Sequence, residues 1–178
     1  MKISNVFGVT KSVRTLAAVA LFSAFSFSHS VHADDMPANS SAAMPQLTLA
    51  LAKNIAMSAL RQCRRDGYAV SVAVVDRSGL LVIQVRNPAA GPHTVGSSFG
   101  KAFTSASMGQ ATAPLAKAIA ENPALNGLRD MDPRMVILGG GLPIVIDGQR
   151  VGGIGVGGAP GGHLDEACAM QGLQRIGA

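Results

Sequence analysis

The chain has 178 residues, 48% hydrophobic and only 4% aromatic, with a formal net charge of +5. That length suits one domain with a real core. Lys2, Lys11 and Arg14 all lie in the first 33 residues, which contain no acid, so the remainder carries only +2 and a nucleic-acid-binding face is not expected.

Those first residues have the pattern of a secretory signal peptide. Three basic residues precede an apolar run from Leu16 to Phe27 that is too short to span a bilayer, and Val31-His32-Ala33 offers a small-x-small cleavage site. Cleavage after Ala33 makes residues 1–33 the signal peptide and predicts an exported protein, periplasmic or extracellular, with no membrane span. It also removes His29 and His32, leaving His93 and His163 as the only histidines, and leaves Tyr68, Phe99 and Phe103 as the only aromatics. Residues 34–46 are polar and contain Pro and Ser, and read as a flexible linker. The folded domain is expected over 47–178.

Thr48 is placed to cap a helix running to about Arg65. Leu51, Ala52, Ile55, Ala56, Ala59, Leu60 and Cys63 recur at helical spacing, and Gly67 follows its end. AVSVAVVD (Ala69–Asp76) is apolar on both alternating faces, as in a central strand covered on both sides. The turn DRSG then leads to LLVIQVR, with Gln84 and Arg86 on one face and Ile83 and Val85 on the other, which completes an antiparallel hairpin.

Helical segments are predicted from about Thr94 to Met108 and over Ala113–Glu121, followed by a loop at Asn122–Pro133. RMVIL and LPIVIDGQRVGGIGV read as further strands. In the second, Asp147–Gly148 is a type I′ hairpin signal, because both central positions of that turn need positive φ. Glycines at 152, 153, 155, 157 and 158 would let a helix, a second subunit or a flat ligand approach the return strand. A last helix is predicted over Leu164–Ile176. The expected fold is α+β, a mainly antiparallel sheet of about five strands flanked by helices.

Cys63 and Cys168 are an even pair in a chain that reads as exported, which permits one disulfide. Both fall on apolar helix faces, so two buried thiols are the alternative.

Few motifs carry chemistry. Gly153, Gly155 and Gly158 spell G-x-G-x-x-G, but no βαβ unit with a later acid surrounds them, so close backbone packing accounts for them better than a dinucleotide. His163, Asp165 and Glu166 open the last helix, where acids complement the helix dipole; a metal site there lacks a third ligand. No nucleophile–base constellation stands out, so no catalytic residue is assigned.

The middle helix offers more. Gly100, Thr104 and Met108 lie one turn apart with Lys101 beside them, and Phe99 and Phe103 form an i, i+4 pair. Such a helix could line an amphiphilic planar ligand, with Lys101 meeting a carboxylate and His93 or Met108 a metal. The plainer reading has both phenylalanines in the core, Lys101 paired with an acid and His93 in solvent.

The motifs VSVAVVDRSGLLV, AGPHT, GKAFTSA, GGLPI and DGQRVGGIGVGGAPGGHLDEACAMQGL, in this order, resemble the haem-binding and haem-degrading family of HbpS, GlcG and PduO C-terminal-domain-like proteins. The resemblance spans about 47–178. It implies a profilin-like sheet flanked by helices, a homo-oligomer and non-covalent binding of haem or a related tetrapyrrole. Slow oxidative haem degradation, or redox or haem sensing through a partner, also follows from it in some members.

Family haem sites involve a Lys-Ala-aromatic-Thr helix, here Lys101-Ala102-Phe103-Thr104, which makes Lys101 and Thr104 cofactor-binding candidates. Coordination chemistry adds His93 as the metal ligand, with Thr104 or Met108 as substitutes and Lys101 as the propionate partner. Ser105 stands where the family usually has Ala, and Gly157 where it commonly has Ser. The competing readings are a small-molecule or corrinoid-binding module, and an oligomeric structural protein without haem affinity.

Overall fold

The computed structural model describes residues 45–174. The expected signal peptide, residues 34–44 of the expected linker and residues 175–178 lie outside that range. Thr48 does cap α1 (Leu49–Arg65), its Oγ1 accepting the Leu51 N–H at 3.2 Å. Arg64 and Arg65 in the last turn complement the negative end of the helix, and Gly67, at φ +86°, turns the chain back.

β1 (Ser71–Asp76) and β2 (Leu81–Arg86) form the expected hairpin. Asp76 shapes its turn by accepting the Ser78 and Leu80 N–H groups on Oδ1 at 2.8 and 2.9 Å. Next come α2 (His93–Met108), α3 (Thr112–Glu121) and a 3₁₀ stretch (Pro123–Asp130) within the expected loop. The chain then forms β3 (Gly141–Ile146), β4 (Gln149–Gly157) and α4 (Gly162–Leu173). Asp147 and Gly148, at φ 50° and 73°, make the turn between β3 and β4 with the positive angles their sequence predicts. No described helix is long and apolar enough to cross a membrane.

The strands run in the order β2-β1-β4-β3, each antiparallel to its neighbours. This is the α+β architecture expected, with four strands in place of about five. RMVIL does not join the sheet, because distant side chains take its backbone groups. Val136 donates its N–H to Thr104 Oγ1 at 2.9 Å, and the Leu138 carbonyl accepts the Thr112 hydroxyl at 2.6 Å. The segment lies against the outer side of α2 at Gly100, where a Cβ would stand 2.9 Å from the Arg134 carbonyl oxygen.

Helices cover both faces of the sheet. On one side α1 and α4 pack over Val72, Val74, Ile144, Ile154 and Val156 in the main core. The Cys63–Cys168 disulfide joins these two helices, with the Cα atoms 5.5 Å apart. On the other side α2 lies on β1 and β4, with Ala102 and Ala106 against Ala73 and Val75. A Cβ on Gly153 would sit 2.5 Å from the Ala102 carbonyl oxygen, and one on Gly157 would sit 2.6 Å from Ser97 Oγ. The visitor admitted by the glycine-rich strand is therefore this helix, which leaves no room there for a flat ligand.

Candidate functional site

Thr94 fixes the start of α2. Its hydroxyl donates to the Gly91 carbonyl at 2.6 Å and accepts from Ser71 Oγ at 2.7 Å, which ties the helix to β1. His93 precedes this anchor and is exposed. Its ring lies over Gly91, where a Cβ would stand 2.7 Å from His93 Cε1, so glycine permits this ring position. Among the described residues no hydrogen bond holds the imidazole, and the AGPHT loop presents it on a rigid base.

His93, Ser97 and Lys101 succeed one another at intervals of four and line one cavity of about 340 Å³. The opposite wall is Leu138, Gly139, the Gly158–Gly162 loop and Asp165. Lys101 is 3% exposed and Asp165 2%. Lys101 Nζ donates to Asp165 Oδ2 at 2.7 Å and to the Val156 carbonyl at 2.9 Å, while Asp165 Oδ1 accepts the Ala159 N–H at 3.0 Å. An ammonium has three N–H donors, so one remains after these bonds. α2 and α4 both begin at this cavity, and neither has a side-chain cap. The positive ends of two helix dipoles at one cavity favour an anionic group between them.

Thr104 and Met108 lie elsewhere. Thr104 is fully buried, its hydroxyl donating to the Gly100 carbonyl at 2.8 Å and accepting from Val136 N. Met108 packs beside Leu115, Ile119 and Ile137. The fold thus brings His93 and Lys101 to one cavity and puts Thr104 and Met108 into internal packing. Phe103 is buried, with the Arg134 guanidinium 4.1 Å above its ring, and Phe99 is half-buried against the Ala73–Val75 cluster.

Asp165 is the residue whose role the sequence reading missed. It serves Lys101 and the Ala159 backbone rather than the end of its own helix, and its partner lies 64 residues away, beyond any local spacing signal. Among the described residues no three His, Cys, Asp or Glu side chains gather to hold a metal ion. Outside the cavity, Arg134 hydrogen-bonds Asp132 and holds its carboxyl well below the usual range, at about 2, while Asp132 pushes the guanidinium up.

Comparison with known proteins points to a family. The family model described as haem degrading protein HbpS-like matches residues 47–174. A 15.0 kDa protein of Citrobacter freundii, encoded between dhaT and dhaS, is 31% identical over 121 residues, covering 67% of this chain and 85% of its own. The crystal structure of a double mutant of Streptomyces reticuli HbpS is 42% identical, with a TM-score of 0.70 over 75% of this chain and 89% of that one. That of a PduOC:haem complex is 25% identical, with a TM-score of 0.68 over 73% and 94%. With one family model matching nearly every described residue and these folds superposing on its sheet and helices, the chain belongs to the HbpS-like family of haem-degrading proteins.

Proposed function

We propose that this chain is an exported homo-oligomer that binds haem, or a related tetrapyrrole, non-covalently at the cavity between α2 and α4. In this reading His93 would hold the haem iron. The observation that carries it is an exposed imidazole, free of hydrogen bonds among the described residues, at the rim of the cavity that also contains Lys101. Haem binding by a relative, the PduOC:haem complex, supports the choice of ligand, and the leader pattern of residues 1–33 supports export.

The residues present fit the group in a definite way. Neutral imidazole is a good iron ligand. Leu138, Ala159 and Pro160 give the cavity apolar surface, and the two helix N-termini supply the positive potential that propionates need. Lys101 is already matched by Asp165, so its part is to hold the cavity floor, with its remaining N–H available to an anion. Bound haem supplies iron-centred redox chemistry; the chain supplies ligation, orientation and partial exclusion of water.

Titration of the secreted protein with haem tests this reading. Saturable uptake at one haem per chain, with a Soret band displaced from that of free haem, is the expected result. Absence of saturable uptake contradicts it. Degradation is a separate activity, shown by peroxide-dependent loss of the Soret band together with iron release.

A further inference from the structure

Ser97 stands on α2 one turn after His93 and one turn before Lys101, and all three line the cavity between α2 and α4. Four residues of helix rise about 6 Å, so along the helix axis Ser97 lies midway between the imidazole and the ammonium. The neighbouring α2 hydroxyls are bonded inside the protein. Thr94 Oγ1 donates to the Gly91 carbonyl, Ser98 Oγ to the Val95 carbonyl at 3.0 Å and Thr104 Oγ1 to the Gly100 carbonyl. Ser97 Oγ has no hydrogen-bond partner among the described residues, yet it is not buried as the unpartnered Ser105 Oγ is. It lies over Gly157, where a Cβ would stand 2.6 Å from it, so the lack of a side chain there keeps its place open.

The cavity's own acid does not take this donor. Asp165 is the acid in its lining, and both carboxylate oxygens are occupied, Oδ1 by the Ala159 N–H and Oδ2 by Lys101 Nζ. The positive ends of α2 and α4 make an anion the favoured acceptor. An entering carboxylate has two oxygens with about four lone-pair sites, enough for the Ser97 O–H and the remaining Lys101 N–H together. Leu138, Ala159 and Pro160 offer apolar surface to the carbon skeleton that carries it.

We infer that Ser97 is the residue through which this cavity selects tetrapyrroles bearing a free carboxylate. Its hydroxyl donates to a carboxylate at the ring's edge, while His93 meets the iron. The inference rests on the haem reading and adds to it a donor and the kind of ring periphery accepted. An ester offers only neutral acceptors, and hydrogen bonds to ionised groups are roughly twice as strong as neutral ones, so esterification removes most of what Ser97 contributes.

Titration of the parent protein and of Ser97→Ala with haem and with haem dimethyl ester, followed at the Soret band, tests it. The parent should bind haem about tenfold or more tighter than the ester. Ser97→Ala should lose about tenfold in haem affinity, the loss of a hydrogen bond to a charged group, with ester affinity, Soret position and thermal midpoint unchanged. An unchanged Soret position separates a role at the carboxylate from one at the iron. Gly157→Ala keeps the hydroxyl but crowds it and should lower the preference for haem in the same direction. A preference undiminished in Ser97→Ala, or an equal loss for haem and ester, overturns the inference and leaves the haem reading standing. Failure of the parent to take up either tetrapyrrole overturns the haem reading and this inference with it.

Discussion

Lys101 Nζ lies 2.7 Å from Asp165 Oδ2, and this single contact joins α2 to α4 across the end of β4. Both side chains are almost wholly buried, so each charge depends on the other. Asp165→Asn should leave an unmatched buried ammonium and cost about 3–5 kcal/mol. Lys101→Met paired with Asp165→Leu removes both charges and should recover much of that loss. Urea unfolding of the two variants beside the parent protein measures it; a double variant no more stable than Asp165→Asn would show that the pair is not what holds this end together.

The Cys63–Cys168 disulfide closes a loop with a sequence separation of 105 between α1 and α4. Loop-closure entropy for about 100 residues gives an upper value of about 4.7 kcal/mol, and measured bridges commonly give 2–4 kcal/mol. Replacing both cysteines by alanine should lower the thermal midpoint accordingly, while circular dichroism retains the α+β signature. An unchanged midpoint would assign the pair no stabilising role.

Ser105 is fully buried on α2, and its hydroxyl has no hydrogen-bond partner. Burying an unpaired hydroxyl costs about 1–3 kcal/mol. Ser105→Ala removes that group without adding volume and should stabilise the protein by about 1 kcal/mol. A lowered denaturant midpoint would mean that the hydroxyl is satisfied in solution.

Asp132 provides a pH prediction. Its carboxyl is held down to about 2 by hydrogen bonds from the Arg134 side chain and backbone. Because the folded value lies below the ordinary 3.8, the contact stabilises the fold fully above that value and is lost as pH falls through about 2. Carbon-detected NMR titration should show the low midpoint, and Arg134→Gln should return it toward the usual carboxylate range. The same variant removes the cation above Phe103, so the resonances of that ring should shift as well.

Much of the fold was legible because local pattern and final environment agree. Ala69–Asp76 is apolar on both faces, and β1 does have helices on both sides. Asp147–Gly148 needed only its own turn, and the β4 glycines announced a close neighbour without naming it. RMVIL misled because an apolar run looks the same whether its backbone pairs with a strand or with Thr104 and Thr112. The candidate site divided along the same line. His93 and Lys101 stay together because spacing along one helix survives folding. Thr104 and Met108 were on that helix too, but segments from residues 134–138 and α3 cover them. Asp165 could not be matched to Lys101 without knowing that α4 begins beside α2.

The most direct measurement is the optical spectrum of haem added to the protein and to its His93→Ala variant. His93 is exposed and holds no hydrogen bond among the described residues, so the variant should fold with an unchanged thermal midpoint. A displaced Soret band is expected in the parent protein, and in the variant a different band position with affinity reduced by about tenfold or more, as for loss of an iron ligand. An identical spectrum and affinity in the two proteins would contradict it and remove His93 from the iron.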